Sequence, residues 1–192
     1  MNKIRFLIGG LLLLLVSCIP SVHPLYSDEV LLRNPLISGI WSEEESDRWK
    51  FEEDQDGYYL TQYDGKNYGY FEVHLVQLGN NYYFDFYPDH LDKSFTINQK
   101  SVLNDMLSWH LLPVHTFAKV RIDEDKIEIM MFDPEWLDDL LDKRMIRIKH
   151  ESHQDDGHLI TASTDELQKF VIKYGDLEEA YNDPIILHRR SE

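Results

Sequence analysis

The sequence predicts an α+β domain built on an antiparallel, partly barrel-like β-sheet, with helices from its C-terminal half packed against it. Three observations predict this. Runs of alternating apolar and polar residues recur between Arg48 and Tyr87, separated by Asp-Gly and Gly-Asn-Asn turns, and strands joined by such tight turns pair antiparallel. Aromatic residues make up 12% of the chain and crowd between Tyr58 and Tyr87, as half-buried strands favour. Helical periodicity enters only later, after Asp133 and again after Ser163.

Taken in order, Asn34-Pro35 predicts one helical turn before Gly39, with Asn as the cap and Pro at the first position. Residues 48–52 alternate, with Trp49 and Phe51 on one face. Tyr58–Tyr63 follows the Asp56-Gly57 turn, and Asp64-Gly65 leads into Tyr68–Leu78. That long run sets Phe71, Val73 and Leu75 on one face and Glu72, His74 and Val76 on the other. Residues 82–87 come next, with Tyr82, Phe84 and Phe86 sharing a side. Val102, Met106 and Trp109 suggest a short helix. A hairpin follows over residues 117–122 and 127–132, turning at Asp123-Glu124-Asp125.

Asp133-Pro134 starts a helix whose apolar stripe is Trp136, Leu137, Leu140 and Leu141, with Lys143 and Arg144 against its C-terminal dipole. Residues 145–150 and 158–162 read as two strands around Asp155-Asp156-Gly157. Ser163 and Glu166 form a capping box for a helix striped by Leu167, Phe170, Val171 and Tyr174 and stopped by Gly175. A short strand over residues 185–187 ends the pattern.

At the N-terminus, Lys3 and Arg5 precede an apolar run over residues 6–16. Its length is that of a signal-peptide core and falls short of the ~20 residues of a spanning helix. The run ends in Leu15-Val16-Ser17-Cys18, which resembles the lipobox of bacterial lipoproteins. The resemblance implies that residues 1–17 are a signal peptide cleaved between Ser17 and Cys18. It also implies that the Cys18 thiol carries diacylglycerol and its freed amine a further fatty acid such as palmitate. Several acyl chains anchor stably where one is marginal. The implied partner is a membrane of the cell envelope, and Ile19 after the cysteine, where Asp signals inner-membrane retention, favours the outer membrane. Cys18 is the only cysteine, so the fold must hold without a disulfide.

Residues 18–33, with Pro20 and Pro24, read as a tether between lipid and domain, and residues 34–192 as a single globular domain. The formal charge is −16, and loss of Lys3 and Arg5 takes it to −18. Nucleic acid is thereby excluded as a partner, because phosphate binding needs a basic surface. Anionic headgroups would repel such a domain too, so membrane contact is expected from the anchor and not from a basic face.

Gly39-Ile40-Trp41 resembles the Gly-x-Trp signature of the lipocalin and wider calycin barrels. The resemblance implies a turn leading into the first strand, a Trp plugging one barrel end, and a carrier of small apolar ligands. The chain departs from that family in lacking its Thr-Asp-Tyr motif and in carrying two helices in its C-terminal half. Glu72, His74 and Asp85 form a candidate ligand-binding cluster, because they share a face if the strands over 68–78 and 82–87 pair. A carboxylate beside His can tune it as a general base; without a nucleophile in view, the same groups serve equally as hydrogen-bonding structure.

His150, His153 and His158, with Asp155 and Asp156, have the chemistry of zinc ligands. A polar turn accounts for the acids, and His150-Glu151-Ser152-His153 is one residue short of His-Glu-x-x-His. No metal or cofactor is expected, and no catalytic residue is assigned. The expectation is a lipid-anchored, non-catalytic module that binds an envelope protein or a small apolar ligand. The alternatives are a lipocalin-like carrier, and a hydrolase or metalloenzyme using His74 or the His150/His153/His158 cluster.

Overall fold

The computed structural model describes residues 18–89, 96–97, 100–101, 111–153 and 157–191. The chain enters through two short strands, β1 (Pro20–Ser21) and β2 (Leu31–Leu32), then meanders through β3 (Gly39–Ser42), β4 (Arg48–Glu53), β5 (Tyr58–Tyr63), β6 (Tyr68–Leu78) and β7 (Asn81–Pro88). A separate pair, β8 (Thr96–Ile97) and β9 (Lys100–Ser101), precedes the hairpin β10 (His115–Ile122) and β11 (Lys126–Met131). Helix α1 (Pro134–Asp142), strands β12 (His150–His153) and β13 (Gly157–Ile160), helix α2 (Thr164–Tyr174) and a 3-10 turn (Glu178–Ala180) follow. Strand β14 (Ile185–Arg190) is last.

β14 pairs with β11 on one side and β3 on the other, while β10 bridges β7 and β11. The result is a closed barrel of 8 antiparallel strands, with neighbours in chain order. Closure leaves no unpaired barrel edge to cap. Both helices belong to an excursion between the last two barrel strands. The expected partly barrel-like sheet closes completely, and the short strand expected over 185–187 is its closing stave. Among the described residues, no helix is long and apolar enough to cross a membrane.

The alternation read from the sequence sets the barrel interior. Trp41, Phe51, Leu60 and Phe84 point inward and are each at most 1% exposed. Phe84 lies 5.8 Å from Phe51 and 5.7 Å from Phe86 between ring centroids, spacings at which tilted aromatic pairs attract. An eight-stranded barrel is just wide enough for side chains to fill, and these do. One end is closed by Trp41, whose Nε1 donates to Ile37 O at 2.8 Å. The Arg189 guanidinium covers that ring at 4.1 Å from its centroid. Arg189 also donates to Glu124 O at 2.7 Å, Ser38 O at 3.1 Å and Leu36 O. The plug implied by Gly-x-Trp is present, held by a hydrogen-bonded turn at 34–37 and not a helix.

A second core lies outside the barrel. Val76, Leu78, Tyr83 and Phe117 project outward from β6, β7 and β10, under Leu137 of α1 and Leu167, Phe170 and Val171 of α2. Ile19 and Leu25 join this cluster and are almost fully buried. Residues 19–33, expected from their prolines to be a tether, instead form a strap. β1 pairs with β10 and with β13, Thr164 donates to Pro24 O at 2.8 Å, and Gln168 donates to Leu25 O at 3.0 Å. Proline does not prevent packing where the strap's carbonyls and apolar side chains have partners.

Two further expectations shift, and others lie outside the described residues. Residues 145–149 are irregular, and pairing begins at His150, where the expected strand ended. Gly175 caps α2 at φ −65, an ordinary right-handed value; it is glycine because a Cβ there would lie 2.1 Å from the Tyr83 hydroxyl. The helix expected around Val102, Met106 and Trp109 falls outside the described residues, as do Asp155 and Asp156.

Candidate functional site

β6 and β7 pair in the register that the candidate cluster requires. His74 lies opposite Asp85 and Glu72 opposite Tyr87. Because side chains alternate across a strand, all of these point away from the barrel interior, with His74 and Asp85 in the layer beneath the strap. β10 adds His115, which sequence reasoning passed over; its only signal was a histidine at the head of an apolar alternating run. The barrel register brings His115 diagonally beside Asp85.

Asp85 is fully buried. Its Oδ2 accepts the Leu25 N–H at 2.5 Å, and its Oδ1 lies 2.7 Å from His115 Nδ1. A carboxylate only accepts, so His115 Nδ1 is the donor of that pair. Two charge-assisted bonds satisfy an acid that would otherwise be costly to bury. They also clamp the strap to β7 and β10. Asp85 is thus sealed beneath the strap, with both of its oxygens engaged.

His74 is 8% exposed, and Tyr26 of the strap stacks on it at 3.9 Å between centroids. Its Nδ1 is buried with no hydrogen-bond partner among the described residues. Burial holds its pKa below the ordinary histidine range, against the opposing pull of Asp85, Glu72 and Asp56. Burial, followed by the charges of Asp85 and Glu72, pushes the Tyr26 phenol up.

Glu72 and His74 do stay together. With Asp54, Asp56 and Gly57 they line a polar depression of about 260 Å³. Gly57 makes it possible, since a Cβ there would lie 2.4 Å from Val73 O and 3.2 Å from His74 Cδ2. The arrangement suits hydrogen bonding to a small polar or cationic group. Among the described residues, its lining holds no serine, threonine or cysteine side chain.

The C-terminal histidines are otherwise engaged. His150 Nδ1 lies 2.8 Å from Ile148 O, while His158 meets Ser152 Oγ at 3.0 Å and Asp138 at 3.2 Å. His150 and His158 pack edge to face at 4.8 Å; the His153 side chain is not among those described. No three Asp, Glu, His or Cys side chains among the described residues converge as metal ligands would.

Cys18 is half-buried against the cluster that fills the barrel, and burial raises its thiol pKa. A larger cleft of about 620 Å³ runs between Leu32–Asn34 and β10, with Lys119 and Arg121 on its wall. Lys119 donates to Gly175 O at 2.7 Å and Arg121 pairs with Glu128 at 3.2 Å, so both cations are occupied. No family model, curated protein or solved structure matches the chain.

Proposed function

We propose that the protein is a non-catalytic binding module of the cell envelope, held on the outer membrane by acyl chains on Cys18 and presenting its outer face to a partner. The carrying observation is the contrast between a barrel occupied by its own side chains and an outer surface that keeps clefts and a buried histidine whose Nδ1 has no hydrogen-bond partner among the described residues. A lipocalin-like carrier would hold its ligand where Phe51, Leu60 and Phe84 sit, so a packed interior favours recognition at the surface. A hydrolase at His74 or at the C-terminal histidines has no nucleophile or metal ligand set among the described residues to support it.

The anchor reading rests on Lys3, Arg5, the apolar run and Leu15-Val16-Ser17-Cys18. Since the strap packs from Ile19 onward, acyl chains on Cys18 would hold the domain against the bilayer with almost no slack. Confinement of this kind raises the local concentration of module and partner on one surface.

Palmitate labelling of cells making the parent chain and a Cys18→Ser variant tests the anchor. The parent should incorporate label and fractionate with the outer membrane, and the variant should do neither. Equal labelling of the two would end the anchor reading.

A further inference from the structure

The chain carries a formal charge of −16, yet one groove is basic. It is about 460 Å³ in volume and lies between the irregular segment 144–148 and α2. Arg144, Arg147, Lys169 and Lys173 line it and are all exposed. None of the four side chains makes an ion pair or hydrogen bond among the described residues, though Lys173 lies over the Tyr174 ring at 4.7 Å. The one acid at the groove, Glu166, is already used: it accepts from Ser163 N at 3.0 Å and from Ser163 Oγ at 3.1 Å, and lies 3.7 Å from Lys149. The 620 Å³ cleft, by contrast, has its Lys119 and Arg121 occupied. Clustered cations lining a cleft focus the field there and raise the local concentration of an anionic ligand.

The groove is also apolar. Ile148 and Phe170 form its floor, and Met145 stands 65% exposed at its edge. The end of α1 explains that exposure. Met145 N–H bonds back to Leu140 O and Arg144 N–H to Leu141 O, both at 2.9 Å, the bonding pattern of a Schellman helix end. In that motif the residue at Met145's place usually packs back on its helix, whereas Met145 is left largely exposed. The position before it usually takes glycine, because the backbone is left-handed, yet Arg144 stands there at φ 54. Local stability would be better served by a glycine in place of Arg144 and by a buried Met145. Places where a chain breaks local rules in this way tend to serve binding.

We infer that this groove is a docking site for an acidic polypeptide segment bearing apolar side chains, which deepens the binding reading above. Charge complementarity and shape favour that occupant over a lipid surface. A flat anionic bilayer meets the whole acidic domain and is repelled by it. A narrow segment lying in the groove senses mainly the cations within a Debye length, about 8 Å at physiological ionic strength, and its apolar side chains reach Ile148 and Phe170. This is a basic face that net charge alone conceals.

The test uses the full chain and two probes, a labelled peptide of about ten residues alternating Glu with Leu and Phe, and vesicles containing phosphatidylglycerol. Peptide binding read by anisotropy should be saturable, one-to-one and weakened by salt. Arg147→Glu with Lys169→Glu, both exposed, should weaken it about tenfold or more and leave vesicle partitioning unchanged. Arg144→Gly supplies a fold-safe control: it relieves the left-handed backbone, so its urea midpoint should rise while peptide affinity falls. Absence of saturable peptide binding would overturn the proposal, as would reversal variants that lose vesicle partitioning but keep the peptide. Palmitate labelling is unaffected by either result, so the anchor reading stands or falls separately.

Discussion

The inside of the barrel and the layer outside it are held together by different chemistry. Inside, the buried cluster is apolar apart from the Trp41 indole N–H and the Tyr58 hydroxyl, which donate to Ile37 O at 2.8 Å and Asn34 O at 2.9 Å. Outside, apolar packing surrounds buried Ser21, His74, Asp85 and His115. The inner core depends on volume and shape, so its positions are nearly interchangeable within the right size. The outer layer depends on particular partners, and removal of one leaves others unsatisfied. The comparison teaches that one fold combines a shape-filled interior with an outer layer fixed by individual polar partners.

The largest effect should come from the interior. Phe84→Ala opens a cavity beneath Phe51 and Phe86 and should cost about 3–5 kcal/mol in urea unfolding; a loss below about 1 kcal/mol would mean the interior is loosely filled. Next comes Asp85→Ala, which orphans the Leu25 N–H and His115. It should cost about 2–4 kcal/mol and expose the Leu25 amide to hydrogen exchange while barrel amides stay protected. Uniform loss of protection would erase the distinction between the two regions. Gly175→Ala forces a methyl against the Tyr83 hydroxyl, and about 1–3 kcal/mol is expected from overpacking, again read by urea midpoint.

The smallest effect is a pH dependence at His74. Its folded-state pKa lies below the ordinary value of 6.5, so below that value the unfolded chain binds more protons. Its contribution to stability is complete above pH 6.5, falls as the pH drops through that value, and stops falling below the folded-state pKa. His74→Phe should flatten this part of the stability profile. An unchanged profile would show that Asp85, Glu72 and Asp56 cancel the effect of burial.

The barrel was legible because half-buried antiparallel strands write their inner face every second residue. Strand bounds at Tyr58–Tyr63 and Tyr68–Leu78, the register that faces His74 with Asp85, and both helix caps follow from local rules. The outer layer was less legible. Ile19 and Leu25 become core only through long-range pairing of β1 with β10 and β13, which no periodicity over 18–33 announces. His115 meets Asp85 across 30 positions of sequence. The basic groove was hidden for the same reason, since Arg144 and Arg147 meet Lys169 and Lys173 only through the packing of α2.

The most direct test of a solid barrel with recognition outside it is titration of the full chain with a fluorescent fatty-acid analogue. A filled interior predicts no binding that depends on the interior, so the parent and Leu60→Trp, a variant that would block any internal cavity, should titrate alike. Saturable binding by the parent that Leu60→Trp abolishes would place a ligand inside the barrel and contradict the account.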